Sequence, residues 1–241
     1  MSGHSKWANI KHRKEKSDSK RGKVFTKLGR EIAVVVKQGG YDPESNSKLK
    51  DVIAKAKSEN MPNDNIMRSI KKAAGDADGA SYEDITYEGY GPGGIAVIVE
   101  ALTDNKNRTA GDVRHFFDKS GGNMGTNGCV SFLFSRKGLL LVSRESRPDE
   151  DAVMMEALDA GAEDVVTQDD AYEIFTSPDG FSEVREKLEK MGYAFESAGI
   201  EMIPLTTVSL GDPKQAESME KLVDNLDDLD DVQNIFHNWD E

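Results

Sequence analysis

Apolar residues recur with helical spacing through the first third of the chain. After an almost wholly polar start, a one-sided apolar face begins at Val24 and ends at Gly39-Gly40. Two further stretches repeat this spacing; Pro62 stops the first and Gly75 closes the second. The predicted inward residues are Phe25, Leu28, Ile32, Val35 and Val36, then Leu49, Val52, Ile53 and Ala56, then Ile66, Met67 and Ile70. Three amphipathic helices with short connections predict a small bundle.

The pattern then changes towards a period of two, beyond a stretch at 75–81 that we interpret as a linker. Two strand-like runs flank the turn sequence GPGG, which predicts a hairpin. The predicted elements here are strands at 85–90 and 95–103, a helix at about 106–119, a loop at 121–128 and a strand at 129–134.

A strand–helix–strand–strand–helix–strand rhythm follows, with boundaries at about 136 and 203. This order is typical of a ferredoxin-like, or split βαβ, domain. The region before it has too few strands to cover its own helix. We therefore expect a last strand at 206–210 and one or two helices within 212–239 to return and complete that region.

The predicted fold class is α+β, with three domains of which the third is inserted into the second. The predicted parts are a flexible basic arm (1–23), a three-helix bundle (24–78), an α+β domain (79–135 plus 204–241) and an inserted ferredoxin-like βαββαβ domain (136–203).

Composition is ordinary for a soluble globular protein of 241 residues, with 37% hydrophobic and 31% charged residues. No apolar run approaches the roughly 20 residues that span a bilayer, and the start of the chain lacks the apolar segment of a secretory signal. The one cysteine, Cys129, excludes an intramolecular disulfide framework. We expect a cytoplasmic protein that has no membrane partner.

Charge changes this picture, because it is divided along the chain. The formal net charge is −13, yet the first thirty residues hold ten basic and only two acidic residues. Residues 1–78 carry 18 Lys and Arg against 10 Asp and Glu, whereas residues 79–241 carry 13 against 34. Such asymmetry indicates a polyanion-facing end on an acidic body, although many soluble proteins also have uneven surfaces. The arm lacks the apolar face of a membrane-surface helix, which favours nucleic acid over lipid.

The basic start is the strongest candidate binding segment, since a flexible cationic segment can follow a phosphate backbone and release counterions. The aromatic ring of Trp7 is suited to stack on an exposed base, or alternatively to dock the arm on its own protein. No residue here supplies a code for reading bases. The candidate nucleic-acid-binding residues are Lys6, Trp7, Lys11, Arg13, Lys14, Lys16, Lys20, Arg21, Lys23, Lys27 and Arg30.

Motifs of catalysis and cofactor binding are missing from the sequence. There is no P-loop, and the glycine-rich stretch 89–94 joins two strands, so it lacks the helix amino terminus that holds a phosphate. The four histidines show no zinc spacing. The carboxylate-rich stretch 224–233 keeps helical spacing of apolar residues and is interpreted as a solvated helix face, not a calcium loop. We therefore expect no catalytic residues, metal, cofactor or small-molecule substrate.

Several long motifs resemble the YebC/PmpR family along essentially the whole chain. They are GHSKWANIKHRK, KRGKVFTKLGREI, KAKSENMPNDNI, YEGYGPGG, TDNKNRTAGDVRHFF and GGNMGTNGCVSFLF. The chain departs from the family pattern at 129–132, where Cys-Val-Ser-Phe replaces the common Ser-Val-Ser-Trp. This departure argues against a required thiol at Cys129.

The resemblance implies three domains and a cytoplasmic, non-enzymatic regulator of gene expression. Some family members are described as binding promoter DNA, and others as acting with ribosomes, including relief of stalling at proline runs. A mobile basic arm and an acidic body suited to basic ribosomal proteins favour rRNA and the ribosome. Sequence-specific binding of promoter DNA is the alternative. The loop that we expect to be functional consists of Gly121, Gly122, Asn123, Met124, Gly125, Thr126, Asn127 and Gly128.

Overall fold

A computed structural model describes residues 21–75 and 81–240. The predicted arm up to residue 20, and residues 76–80 of the predicted linker, lie outside the described residues. Within the described ranges, no helix is long and apolar enough to cross a membrane.

Helices and strands alternate in an α+β arrangement, as predicted. In chain order the elements are α1 (Arg21–Gly39), α2 (Ser47–Ser58), α3 (Asn63–Gly75), β1 (Glu83–Tyr90), β2 (Ala96–Thr103), α4 (Lys106–Lys119), β3 (Asn123–Met124), β4 (Phe134–Ser143), α5 (Glu150–Ala160), β5 (Asp164–Thr167), β6 (Ala171–Thr176), α6 (Phe181–Lys190), β7 (Ser197–Pro204), β8 (Val208–Ser209), α7 (Pro213–Asp227), β9 (Val232–His237) and β10 (Trp239–Asp240).

The first three helices form the predicted bundle around a core that includes Ile32 and Leu49. The buried Asn46 closes the turn between α1 and α2. Its Oδ1 accepts the Leu49 N–H at 3.1 Å, and its Nδ2 donates to two carbonyl oxygens at the end of α1. The prediction that Met67 points inward is wrong, because its side chain is 52% exposed. Ile66 already occupies the inward position, and the next residue lies about 100° around the helix.

The first sheet has the strand order β3-β1-β2-β9 and is antiparallel throughout. Helices α4 and α7 cover one face, with Phe117 and Leu222 in the shared core. Strand β9 pairs with β2, which confirms that the end of the chain returns to this region.

The predicted helices at 212–239 are correct only as far as Asp227, because the chain continues through a turn into strands β9 and β10. Leu229 lies in the turn and Val232 begins β9, yet both contact the same core as Leu226. The apolar residues therefore keep helical spacing in the sequence beyond the end of the helix. The strand predicted at 206–210 is reduced to β8, which pairs with β10.

The second sheet has the order β5-β6-β4-β7, which is the strand order of a split βαβ unit. Helices α5 and α6 pack on one face, where Val153, Ala157 and Leu188 meet Leu140 and Tyr172 of the sheet. The sheet is formed wholly by chain that lies between β3 and the returning β9. The domain boundaries at 135, 136, 203 and 204 stay a prediction.

The strand predicted at 129–134 is wrong over most of its length, because Ser131–Leu133 is a short 3₁₀ turn and β4 begins at Phe134. The amides of Val130 and Ser131 donate to the carboxylate of Glu88 instead of to a neighbouring strand. Val130 and Phe134 pack under the first sheet against Phe236 and so connect the two sheets.

A buried ion pair joins the bundle to the second sheet unit. The Arg185 side chain is 3% exposed, and its Nη2 lies 3.0 Å from Oδ1 of Asp51 on α2. The Ser182 hydroxyl donates to the other oxygen of the same carboxylate at 2.5 Å. The bundle is thus held to α6 by a carboxylate whose burial raises its pKa, an effect that the Ser182 hydroxyl and Arg185 offset only in part.

Two glycines give opposite predictions for stability. Gly111 lies exposed in the middle of α4, where an added Cβ would meet nothing within 4 Å. Since glycine in a helix interior costs about 1 kcal/mol relative to alanine, we expect Gly111→Ala to raise the free energy of unfolding by up to about that amount.

In Gly138→Ala, the new Cβ would lie 2.8 Å from Cδ2 of Phe181 and collide with Thr176. We therefore expect the free energy of unfolding to fall by about 1–3 kcal/mol.

Urea unfolding followed by circular dichroism measures both effects. Equal effects of the two substitutions would contradict the assignment of Gly111 to an open helix face and of Gly138 to a tight contact.

Candidate nucleic-acid interface

The candidate basic residues that the structure describes all lie on α1, where the predicted arm enters the folded protein. Lys23, Lys27 and Arg30 are spaced four and three residues apart and therefore share one face of the helix. This face meets the turn between α7 and β9. We define this turn as residues 227–231 and call it the acidic turn. Arg21 is exposed in the first turn of α1.

Each of the three basic side chains pairs with a different aspartate of the acidic turn. Lys23 Nζ lies 3.0 Å from Oδ1 of Asp228, and both groups are half exposed. The buried Lys27 contacts Asp227 twice, donating to its carbonyl oxygen at 2.7 Å and to its carboxylate at 3.1 Å.

Asp231 is the centre of this contact. Asp231 is 8% exposed, and its Oδ1 accepts a hydrogen bond from Arg30 Nη1 at 2.5 Å. Its other oxygen accepts from Arg108 Nη2 and from the Thr109 hydroxyl, both at 2.7 Å. Burial alone raises the pKa of Asp231, but the hydrogen bonds from Arg108, Thr109 and Arg30 outweigh it and lower the pKa to about 2. A single carboxylate therefore ties together α1, α4 and the start of β9.

The interpretation of 224–233 as a solvated helix face is wrong, because its aspartates at 227, 228 and 231 bind basic residues of α1. Helix α7 ends at Asp227, the first residue of the acidic turn, and the carboxylates at 227, 228 and 231 contact α1 of the bundle. Lys23, Lys27 and Arg30 thus have partners within the protein, and their contact with nucleic acid stays a prediction. The other candidates, Lys6, Trp7, Lys11, Arg13, Lys14, Lys16 and Lys20, lie outside the described residues.

The predicted functional loop lies beyond the other end of α4. Gly121 and Gly128 have φ of 80° and 86°, the left-handed region that favours glycine. The loop is partly ordered by pairing, since Asn123 and Met124 form β3 against the end of β1. Asn123, Thr126 and Asn127 are exposed, so their polar side chains are available to a ligand.

Glu88, which is not among the site residues predicted from the sequence, holds the far side of this loop. Its residue is 5% exposed, and its carboxylate accepts the N–H groups of Gly128, Val130 and Ser131 at 2.8–2.9 Å. Burial opposes the charge, but these backbone donors outweigh it and hold the pKa of Glu88 below its usual range. The signal in the sequence for this role of Glu88 was the presence of a glutamate inside the predicted strand ITYEGY.

Cys129 lies inside the same turn and is poorly placed for nucleophilic chemistry. Burial raises the pKa of its thiol, and the charge of Glu88 raises it further. Reactive cysteines instead have a lowered pKa in an electropositive setting.

The start of α1, to which the predicted arm is attached, and the loop 121–128 lie at opposite ends of the first sheet. Glu83 and Thr103 mark the sheet end near the acidic turn, whereas Tyr90 and Ala96 mark the end near the loop. Helix α4 has 14 residues and separates the two, at about 1.5 Å per residue, by roughly 20 Å.

An open cavity of about 220 Å³ lies beside the loop, where Ser120 and Gly121 face Lys214, Gln215 and Ser218 at the start of α7. Across residues 21–75 and 81–240, no group of three or more His, Cys, Asp or Glu side chains is arranged to hold a metal ion.

Asp231→Asn tests the carboxylate that joins the three elements. Since the pKa is about 2 in the folded protein against 3.8 ordinarily, the charge contributes stability that is present above about pH 4 and lost as the pH falls towards 2. This difference corresponds to about 2 kcal/mol at neutral pH. We expect the substitution to lower the free energy of unfolding by about that amount at pH 7, with the gap narrowing in acid.

Urea unfolding at a series of pH values measures this gap. Glu217→Gln is the control, because Glu217 forms an exposed pair with Lys221 on one helix and should change stability little. A gap for Asp231→Asn that stayed constant down to pH 2 would contradict the assigned role.

Glu88→Gln tests the support of the loop. An amide group accepts backbone N–H bonds more weakly than a carboxylate, and its NH₂ group faces the same donors. We expect faster hydrogen exchange at the amides of Gly128, Val130 and Ser131, whereas exchange in the bundle should not change. Unchanged protection at these three amides would show that Glu88 does not hold the turn.

Two family models together match nearly the whole chain. Residues 5–76 match the family model of the TACO1/YebC protein N-terminal domain, and residues 82–239 match that of the TACO1/YebC second and third domain. A probable transcriptional regulatory protein of Acetivibrio thermocellus is 66% identical, with 99% of each chain covered. One of the same description from Caldicellulosiruptor saccharolyticus is 61% identical over 100% of this chain and 99% of its own.

The fold also has a solved counterpart. The crystal structure of a conserved hypothetical protein from Aquifex aeolicus superposes with a TM-score of 0.86 at 47% identity, covering 98% of this chain and 96% of that one. Since the family models together match nearly the whole sequence, and the relatives are similar along their full length, the chain belongs to the TACO1/YebC family.

Proposed function

We propose that the protein is a non-enzymatic, nucleic-acid-binding regulator of gene expression that acts at the ribosome in the cytoplasm. The basic residues at the start of the chain bind phosphates of rRNA, and binding relieves stalled translation. The observation that carries the proposal is the divided charge, ten basic residues in the first thirty against a net charge of −21 over residues 79–241.

The ion pairs on α1 refine which residues make the phosphate contacts. Lys27 and Arg30 are partly or fully buried against the acidic turn, so they are poorly placed to release counterions from a polyanion. We assign the contacts to Lys6, Lys11, Arg13, Lys14, Lys16, Lys20 and Arg21, and base or sugar stacking to Trp7. Lys23, Lys27 and Arg30 then hold α1 in the position from which the arm extends.

Ribosomal RNA is favoured over promoter DNA by the kind of chemistry available. Sequence-specific duplex binding requires side chains that reach base edges in a groove, whereas RNA surfaces are recognised by shape and phosphates. The basic face of α1 packs against aspartates and is not presented to a groove. The acidic body would be repelled by duplex DNA but suits contact with basic ribosomal proteins.

Promoter binding is the second candidate function, because the relatives from A. thermocellus and C. saccharolyticus are described as probable transcriptional regulatory proteins. Under this alternative the arm would provide the phosphate contacts, and sequence would be read by residues that we have not identified. Neither candidate function involves a cofactor, a small-molecule substrate or a membrane.

Neutralising the arm tests the main proposal. In a variant with Lys11, Lys14, Lys16 and Lys20 replaced by Gln, we expect loss of co-sedimentation with purified ribosomes at physiological salt. Because each lost phosphate contact removes about 0.7 from the slope of log K against log salt, the slope should become shallower by up to about 3.

The matched control replaces Lys106, Lys187, Lys190 and Lys221 by Gln, which changes net charge equally but acts on the acidic body. We expect this control to bind ribosomes with the original slope. Equal losses in both variants would show that total charge matters and not the arm. Tight binding of one duplex over scrambled competitor at matched salt, without ribosome binding, would favour the promoter alternative.

A further inference from the structure

Phe132 exposes a large aromatic ring where the protein has no evident use for it. Its residue is 66% exposed, although it lies between buried Val130 and buried Phe134. Its exposed apolar neighbour in this region is Leu205, whose N–H donates to the carbonyl oxygen of Leu133 at 2.8 Å. A ring exposed to this extent offers a large apolar face that a planar ligand can cover.

The outward position of Phe132 is imposed by the turn that precedes it. Glu88 binds the amides of Val130 and Ser131, and the Tyr90 hydroxyl donates to the carbonyl oxygen of Cys129 at 3.2 Å. The following residue, Leu133, is then fixed by its 3₁₀ hydrogen bond to Val130 at 2.9 Å. The ring is thus presented from a rigid support, which reduces the entropy lost when a ligand binds.

The surroundings of Phe132 are less acidic than the rest of the body. Arg136 is exposed four residues along, Lys119 is exposed just before the loop, and Lys214 lines the cavity beside Gly121. The exposed acidic residues adjoining them are Asp118 and Asp212. Counting also the Glu88 carboxylate that binds the turn, three basic residues are balanced by three acidic ones here, in a region of the chain that carries 13 basic residues against 34 acidic ones.

The exposed loop adds hydrogen-bonding groups to this surface. Asn123, Thr126 and Asn127 are exposed beside the turn that Glu88 holds, and Gly121 and Gly128 flank them without side chains. An aromatic ring, amide and hydroxyl groups and a few cations together match an unpaired nucleotide, whose base stacks while its sugar and phosphate are hydrogen-bonded.

We propose that Phe132 is a stacking platform for an unpaired RNA base, and that the loop 121–128 contacts the same nucleotide. This inference rests on the proposed function and adds to it a second RNA contact, about the length of α4 from the attachment of the arm. The arm binds phosphates of any strand, whereas the Phe132 site selects single-stranded RNA, because bases within a duplex are already stacked.

The test compares binding of a single-stranded RNA of about 12 nucleotides with binding of the same RNA annealed to its complement. The full chain is used throughout, at several salt concentrations. Because stacking involves no charge, we expect Phe132→Ala to weaken single-strand binding roughly 5- to 100-fold, with little effect on the duplex and an unchanged salt slope.

Two substitutions at the same position separate stacking from a simple apolar contact. Phe132→Trp should keep the single-strand preference, whereas Phe132→Leu should lose it. Leu205→Ala is the neighbouring control and should bind as the original protein does. Thermal unfolding of each variant confirms that the fold is intact, which we expect since both positions are exposed.

The inference is overturned if Phe132→Ala keeps the single-strand preference, or if Phe132→Leu binds as well as the original protein. It is also overturned if Leu205→Ala loses as much binding as Phe132→Ala, since the patch would then be an apolar docking surface. Failure of the unaltered protein to bind either RNA, or ribosomes, would instead remove the proposed function on which the inference rests.

Discussion

The buried carboxylate of Asp231 is the interaction on which the arrangement of this protein depends. It receives Arg30 from the helical bundle and Arg108 and Thr109 from α4, at the point where the chain returns from α7 into the first sheet. Removing two charges from water is costly, so such a contact is retained only where hydrogen bonds satisfy it fully. Its geometry fixes which end of the sheet carries the bundle, and hence where the basic start of the chain emerges.

The contact between α1 and the acidic turn joins the basic first region of the sequence to its acidic remainder. Lys23 and Lys27 of α1 are paired with aspartates of the acidic turn, and the proposed function assigns phosphate binding to the basic residues that precede them in the sequence. Under the proposed function, the net charge of −21 over residues 79–241 opposes binding of that region to duplex nucleic acid. Under the same proposal, selectivity for single-stranded RNA comes from Phe132 and the loop 121–128.

Much of the fold was predictable because local pattern and tertiary environment agree. The bundle and the ferredoxin-like unit follow from periodicity and turn residues alone, since each helix and strand there buries one regular face. The two longest errors arose where an apolar pattern is kept by residues whose backbone forms a turn. Residues 129–133 looked like a strand, but the amides of Val130 and Ser131 donate to the carboxylate of Glu88. The acidic turn looked like a helix, because Leu229 and Val232 keep contact with its core.

The candidate site was less predictable than the fold. Basic composition identified the arm, but periodicity gave no sign that Lys27 and Arg30 have partners about 200 residues away in the chain. Such contacts depend on how the end of the chain returns, which no local signal specifies. The exposure of Phe132 was equally hidden, since Val130, Phe132 and Phe134 alternate as they would on one buried face of a strand.

Crosslinking in cells, followed by sequencing of both the bound RNA and the bound DNA, tests the central claim most directly. Binding through a phosphate-following arm and a base-stacking Phe132 predicts that crosslinked RNA is strongly enriched, that it is dominated by rRNA, and that the crosslinks cluster at discrete unpaired nucleotides. Enrichment of defined promoter fragments, with rRNA at the level of a control protein, would contradict it.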